Sequence, residues 1–542
     1  MDEYEKDDKG RSPYSQSADT SVVDVDINTS GHVQELDRTF GFWSICALGV
    51  VTDNAWGAGS GTLVVAFYNG GGPGVLYGLI TATFFYGFIA ACLAELASSM
   101  PTSANVYHWA SVTAGPKYGR VTSFFAGWWN CLAWTFGTAA PCALGANAVI
   151  ALWSIWHPEF EPERWQLFIV YLGIVFVVSS MILFGQPILA RASTFFGATC
   201  MILLIVSFLT IVVMISNNGS GYASNYSVWQ DFQNLTGWDS PGLVFLMGVL
   251  NGAFTIGTPD GACHMCEEVP RPRTNIPWGI FAQWSTGFLS TFAFYIVLLY
   301  GINDYDAIFA TDVVSFPLAA IYRQATNSDA ATTALLVIFI IDIIICITGA
   351  YMAAGRMLWT LARDNAVPGA GLVRRVNPIF RNPFNAQLII TFWLVVLGCI
   401  YIGSVTAFNA FVGVFCILAT MSYMAAILPN LITARRYVPR GPFWMPARIA
   451  YPVMAVACAY TLVFNVLYMF PYVYPVDATT MNYSCVMAGG CTLLLIPWYL
   501  WKRTRGYVGP EVALDARDDI VKGLVGMSMA EEEQRRHRYT AR

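Results

Sequence analysis

Residues 53–61 read "DNAWGAGSG", inside the otherwise apolar stretch "TFGFWSICALGVVTDNAWGAGSGTLVVAF" (39–67). A carboxylate, an amide and three glycines within nine residues make a poor centre for a membrane-spanning helix. The same fault recurs in "SPGLVFLMGVLNGAFTIGTPDGACHMCEEV" (240–269), where Gly257, Pro259 and Gly261 surround Thr258 and Asp260. Proline removes a backbone donor and glycine weakens a helix, so both stretches are expected to interrupt near their middles. In hydrocarbon an unpaired backbone group costs several kcal/mol, so unwound chain survives there only against a cavity or a ligand.

The rest of the chain supplies the membrane. Of its 542 residues, 56% are hydrophobic and 12% charged, about half the charge of a typical soluble domain. Apolar runs of about 20 residues recur along nearly its whole length. They predict twelve spans, near 40–67, 74–98, 121–152, 165–185, 191–215, 242–267, 278–301, 332–360, 386–403, 408–432, 449–470 and 484–501. With both termini cytoplasmic, 27 of the 29 Lys and Arg fall on the inner side, leaving Arg164 and Arg323 outside. That asymmetry sets the orientation. Four sequons, at Asn218, Asn225, Asn234 and Asn482, fall in the expected external loops as N-glycosylation candidates, and a fifth at Asn28 falls inside. The polar, acidic residues 1–38 are expected to be a disordered cytoplasmic tail, 39–502 a twelve-helix membrane domain and 503–542 a cytoplasmic C-tail.

The two interrupted stretches are spans 1 and 6. Breaks at those positions are what a five-plus-five inverted repeat predicts for a secondary transporter, with half-helix ends exposed at the midplane. Three acids lie at this depth: Asp53, Asp260 and Asp342, the last in "LLVIFIIDIIICITGAYMAAGR" (335–356). A central Asp costs about 2.5–3.5 kcal/mol on insertion scales, so each is a functional candidate. No Lys or Arg lies deep in any span, which suits a site that receives a cation or a proton. Asp53 and Trp56 share a face if the helix persists between them. Asp342, Cys346, Gly349 and Ala353 form one stripe that can face the bundle interior. Span 3 carries Trp128, Trp129, Trp134 and Phe136, and an aromatic wall beside an acid suits an alkylammonium group.

Other chemistry is poorly represented. Cys263-His264-Met265-Cys266 lacks both the haem-attachment order and a second cysteine pair, so no metal site is expected. No phosphate-binding loop is present, which argues against an ATP-driven pump. No nucleophile or metal constellation points to an enzyme. No cofactor and no nucleic-acid partner are expected.

Several blocks carry a resemblance: "FYNGGGPGVLYG" (67–78), "AELASSMPTSANVYHWASVTAGPKYGR" (94–120), "NLTGWDS" (234–240), "GTPDGACHMCEEVPRPRTNIP" (257–277), "AGRMLWTLARDNAVPG" (354–369), "GSVTAFNAFVG" (403–413) and "FPYVYPV" (470–476). Together they resemble the fungal amino-acid/choline transporter family of the amino acid–polyamine–organocation superfamily, over about 40–510. The resemblance implies an all-α polytopic protein with twelve transmembrane helices. Its core would be a five-plus-five inverted repeat of the leucine-transporter type, with helices 1 and 6 broken. It implies alternating access, with the solute held by Asp53, Trp56, Gly57, Gly59, Ser60 and Gly61 from span 1 and by Phe254, Thr258 and Asp260 from span 6. Asp53 and Asp342 depart from the general family pattern.

The function expected is secondary active or facilitative transport of a small amine-bearing solute, with choline-like cations ahead of amino acids or γ-aminobutyrate. Asp342 is the candidate coupling acid for protons, and carbonyls of spans 1 and 8 could instead host sodium. Glu95, Glu267, Glu268, Arg271, Arg273, Arg356 and Arg363 are gating candidates near inner helix ends, with no pairing fixed by the sequence. The plasma membrane is the expected location. An exporter or importer of a secondary-metabolite amine or alkaloid is an alternative reading, and a non-transporting solute sensor is a rival of another class.

Overall fold

The first apolar stretch breaks at Asn54. Helix α1 (Phe42–Asp53) ends there, with Asn54 in the left-handed region at φ 35° and ψ 51°, and α2 (Ala55–Gly61) starts from the same residue. Asn reaches this region more cheaply than most residues bearing a Cβ. A second interruption at Thr62 separates α2 from α3 (Leu63–Tyr68). The opening expected at Gly57, Gly59 and Gly61 therefore lies just before them: the glycines are helical, and the asparagine turns the chain.

The protein is described by a computed structural model covering residues 41–510, except 219–220, 310–315, 381, 405 and 479; for 186–191, 401 and 406–409 only the backbone is described. The N-tail expected at 1–38, its sequon at Asn28 and residues 511–542 of the C-tail lie outside the described residues.

After α3 come α4 (Gly71–Ser99), α5 (Val106–Thr113), α6 (Gly115–Trp156), α7 (Arg164–Asn217), α8 (Asn225–Trp229) and α9 (Pro241–Thr255). Span 6 breaks where the sequence predicts. Helix α9 stops at Thr255, Ile256–Asp260 is not helical, and Gly261–Glu268 resumes as a tighter 3₁₀ helix. The chain continues through α10 (Pro272–Tyr300), α11 (Asp306–Phe309), α12 (Pro317–Thr326), α13 (Asp329–Arg363), α14 (Ala370–Val373), α15 (Phe384–Gly403), α16 (Thr406–Ile432), α17 (Ala447–Leu467) and α18 (Ser484–Arg503).

Among the described residues, nine helical stretches are long and apolar enough to cross a membrane, with Pro241–Thr255 and Phe384–Ile400 as shorter apolar helices. One boundary differs from expectation. Spans 4 and 5 are the two halves, Arg164–Gly185 and Ala192–Asn217, of the 54-residue helix α7. The expected loop between them, 186–190, is helical even though it follows Gly185 and contains Pro187.

Two packing groups position the site. Helices α1 and α2 pack on α10, and α4 packs on α9 and α10. Helix α6 packs on both α13 and α16. The 3₁₀ segment touches α1, α10 and α13, so the break in span 6 lies between the groups.

Candidate functional site

Asp53 and Thr258 bring the two breaks together. Asp53 is buried at the end of α1, and its Oδ1 accepts the Thr258 hydroxyl at 2.6 Å. Its Oδ2 accepts no hydrogen bond among the described residues. The Gln283 amide of α10 lies beside it without a well-formed hydrogen bond. Gly287 leaves room for that oxygen, since a Cβ there would sit 2.7 Å from it. Trp56 lies beyond the turn at Asn54, so helical spacing does not relate it to Asp53. Its ring packs edge-on against Phe294 of α10 at 5.1 Å.

Asn54, which no pattern in the sequence marks as a site residue, ties the break of span 1 to α13. Its Nδ2 donates to the Asp342 backbone carbonyl at 3.0 Å and to Asp342 Oδ2 at 2.6 Å. Asp342 is fully buried, and its Oδ1 accepts no hydrogen bond among the described residues. The Cys200 thiol of α7 lies near this carboxyl without a well-formed hydrogen bond. Gly57 is required here, because a Cβ on it would overlap Asp342 Oδ2. Gly59 has the same reason on the opposite side, against the Tyr295 hydroxyl and Thr255. The predicted stripe on α13 faces α1: Cys346 lies 3.9 Å from the Thr52 carbonyl, and a Cβ on Gly349 would lie 2.7 Å from the Thr52 hydroxyl. Ala353 is buried on the same helix.

Asp260 occupies a different environment. Its Oδ2 accepts from Asn105 Nδ2 at 3.0 Å, Asn130 Nδ2 at 2.8 Å, Trp134 Nε1 at 3.1 Å and His264 Nε2 at 3.1 Å. Its Oδ1 accepts the Tyr423 hydroxyl at 2.5 Å. Four of these five contacts crowd onto Oδ2, while Oδ1 accepts a single bond and keeps a lone pair. Asp260 thereby fastens the break of span 6 to α6 and α16. For the same reason His264 is a partner of Asp260 rather than part of a cysteine-rich motif, and Cys263 and Cys266 are buried on either side of it.

The remaining predicted residues divide. The Ser60 hydroxyl donates within its own segment, to the Trp56 carbonyl. Gly61 meets Leu144 of α6, where a Cβ would come within 2.7 Å of the leucine side chain. Phe254 packs edge-on against Phe415 at 5.7 Å, and Trp134 lies 6.1 Å from the same ring. Phe136 adjoins Phe411 at 5.8 Å. Trp128 and Trp129 do not join this wall: Trp128 packs near Phe124, and Trp129 donates to Thr492 of α18.

The charged residues at the far end of these helices are paired. Arg356 Nε donates to Glu268 at 2.7 Å, and Arg363 holds both oxygens of Glu267 at 2.8 and 3.1 Å. Glu95 pairs with Arg435 at 2.8 Å, a partner that the sequence does not reveal, and also accepts the Met445 amide at 2.9 Å. All three pairs are almost fully buried. Arg271 and Arg273 are exposed and form no ion pair among the described residues.

Of the sequons, Asn225 and Asn234 are exposed, as is Asn218, whose two following residues lie outside the described set. Asn482 must be withdrawn. It is 1% exposed, and its Nδ2 donates to the carbonyls of Tyr468 and Phe470 at 2.7 and 2.9 Å.

Known proteins share this architecture. The chain is 28% identical to a choline transporter of Saccharomyces cerevisiae over 86% of its own length and 82% of that protein's. It is 25% identical to a GABA-specific permease of the same yeast, covering 92% of this chain and 86% of the relative. Its fold is similar to that of a mutant manganese transporter from Eremococcus coleocola, with a TM-score of 0.51 and 13% identity over 87% of this chain and 94% of that one. The family model described as amino acid permease matches residues 40–491. A match over that span, on a helical architecture with many membrane-length helices, makes the chain a member of the amino acid permease family and a multi-pass transporter of small solutes, not an enzyme.

Proposed function

We propose that this permease carries a small amine-bearing solute, with choline-like cations ahead of amino acids, by alternating access around the breaks of spans 1 and 6. The observation that carries the reading is the pair of buried carboxylate oxygens, Asp53 Oδ2 and Asp342 Oδ1, that accept no hydrogen bond among the described residues. An unpaired buried acceptor is costly, and a cation or a proton relieves that cost. Asp53 is the better solute contact, and Asp342 is the coupling acid. The ring cluster of Trp134, Phe254 and Phe415 supplies faces for an alkylammonium group. The names of the yeast relatives, a choline and a GABA carrier, favour the same solute class.

Twelve crossings in a five-plus-five inverted repeat, with both termini cytoplasmic in the plasma membrane, complete the proposal. One group, built on α1, α2, α4, α9 and α10, would rock against α6, α13 and α16. Glu268–Arg356 and Glu267–Arg363 tie the 3₁₀ segment to α13, Glu95–Arg435 ties α4 to the chain just after α16, and the three pairs act as the inner gate. A solute that binds one state better shifts the population towards it.

The test is uptake into vesicles of labelled choline, γ-aminobutyrate, neutral and basic amino acids, and polyamines, each at two pH values. Asp53→Asn is expected to raise KM for the carried solute by about 10- to 100-fold, the worth of a charge-assisted hydrogen bond. Asp342→Asn is expected to flatten the pH response. Unchanged affinity and pH response in both variants would overturn the proposal, and binding without flux would favour a sensor.

A further inference from the structure

A groove lies away from the breaks of spans 1 and 6. It has a volume of about 560 Å³ and runs between α4 and α10, within the size range of small-molecule sites. Gly87, Ala90, Ala91 and Ala94 form its floor on α4, and Trp278, Phe281 and Trp284 form its wall on α10. Pro442 and Phe443, from the segment between α16 and α17, close one end, and Arg273 stands beside that end.

The small residues on α4 create the depth. The floor residues themselves carry nothing larger than a methyl group, and Trp284 closes the floor over Gly87, held in place by its Nε1 donating to the Thr83 carbonyl at 3.0 Å. Trp278 and Phe281 are 57% and 53% exposed, so the wall opens outward rather than into the protein. From Arg273 to Trp284 is eleven residues of helix, a rise of about 16 Å. Half of a hydrocarbon core is about 15 Å. The groove thus has the length of one leaflet, with a cation at its water end and aromatic and methyl surface for the remainder.

We infer that this groove binds an anionic glycerophospholipid of the inner leaflet, with its phosphate at Arg273 and one acyl chain between Ala91 and Phe281. Charge selects the head group: Arg273 is exposed, and Arg271 lies two residues away, also exposed. Basic positions at the inner ends of transmembrane helices attract acidic lipid head groups in this way. The lipid bears on the proposed inner gate. Phe443, which closes the groove, donates its amide to Ser98 at 2.8 Å, and Met445 donates its own to Glu95. Trp444 between them stacks on Arg435, the partner of Glu95, at 3.6 Å. A chain seated under Phe443 therefore supports the segment that holds the Glu95–Arg435 pair closed.

The purified full chain is tested in two ways. Native mass spectrometry after exposure to equal phosphatidylserine and phosphatidylcholine reads retained lipid and needs no knowledge of the solute, so it stands whether or not the amine reading holds. The native protein is expected to retain phosphatidylserine in preference. Arg273→Gln loses the preference, and Ala91→Trp, which fills the groove, loses the retained lipid. Solute flux is then compared in phosphatidylcholine vesicles with and without phosphatidylserine, taking the ratio as the readout. The ratio is expected to differ several-fold from one in the native protein and to approach one in both variants. Equal retention of the two lipids by the native protein, an unaltered preference in Arg273→Gln, or undiminished lipid retention in Ala91→Trp would each overturn the inference.

Discussion

Asn54 carries two roles that a substitution can separate. Its backbone is left-handed and its side chain holds Asp342. Asn54→Gly keeps the turn and loses the side chain, whereas Asn54→Leu loses both. The leucine variant is expected to lower stability by about 1–2 kcal/mol more than the glycine variant, from left-handed strain, measured as the difference in thermal unfolding. Both are expected to lose the pH response assigned to Asp342, seen in flux at two pH values. Asp260 makes the opposite prediction to Asp53. Because five donors hold it, Asp260→Asn is expected to act on the fold: it leaves several buried donors without an anion, and reduced yield and melting temperature should precede any change in KM. A stable Asp260→Asn protein with only a raised KM would return Asp260 to the solute site.

At the scale of the element, the 3₁₀ segment Gly261–Glu268 carries the test of the proposed gate. It joins the break to α13 through two adjacent glutamates, each on its own arginine. Removing one partner of a buried pair costs about 3–5 kcal/mol, while replacing both by apolar groups costs far less. Glu268→Gln is thus expected to destabilise the closed inner end, and Glu268→Leu with Arg356→Met to recover part of the loss, read by thermal unfolding. If these pairs form the gate, Glu267→Gln also speeds labelling of buried Cys266 by a membrane-permeant thiol reagent. An unchanged labelling rate would argue that the pairs are static. The pairs were not legible because their partners lie far apart along the chain, 88 residues for Glu268–Arg356. The break before the segment was legible, since Gly257 and Pro259 act on the backbone locally.

At the scale of the whole molecule, orientation is the property most open to a direct test. Arg164 and Arg323 are the two basic residues expected outside, and the exposed asparagines Asn225 and Asn234 share that side. If the orientation holds, glycosidase treatment shifts the electrophoretic mobility of the native protein. Asn482→Gln leaves that shift intact, because its amide is buried and already bonded, whereas joint replacement of Asn218, Asn225 and Asn234 abolishes it. A shift lost in Asn482→Gln alone would mean that the segment after α17 is open in the mature protein.

The sequence by itself determined the membrane, the helical class, the two broken spans and the presence of acids at their depth. Those follow from composition, hydropathic period and the local stereochemistry of Gly and Pro, which need no distant partner. It also determined the stripe on α13, since helical spacing alone aligns Asp342 with Cys346 and Gly349. Tertiary structure decided what each of these groups meets. The three glycines of "DNAWGAGSG" allow close approach to Asp342, Tyr295 and Leu144, and the asparagine makes the turn. Three acids that look alike in sequence differ in the donors that neighbouring helices bring: five on Asp260, one on Asp53 and the Asn54 amide on Asp342. Hydropathy fixes that a carboxylate is buried, but whether it has acceptor capacity left depends on helices far away in the chain.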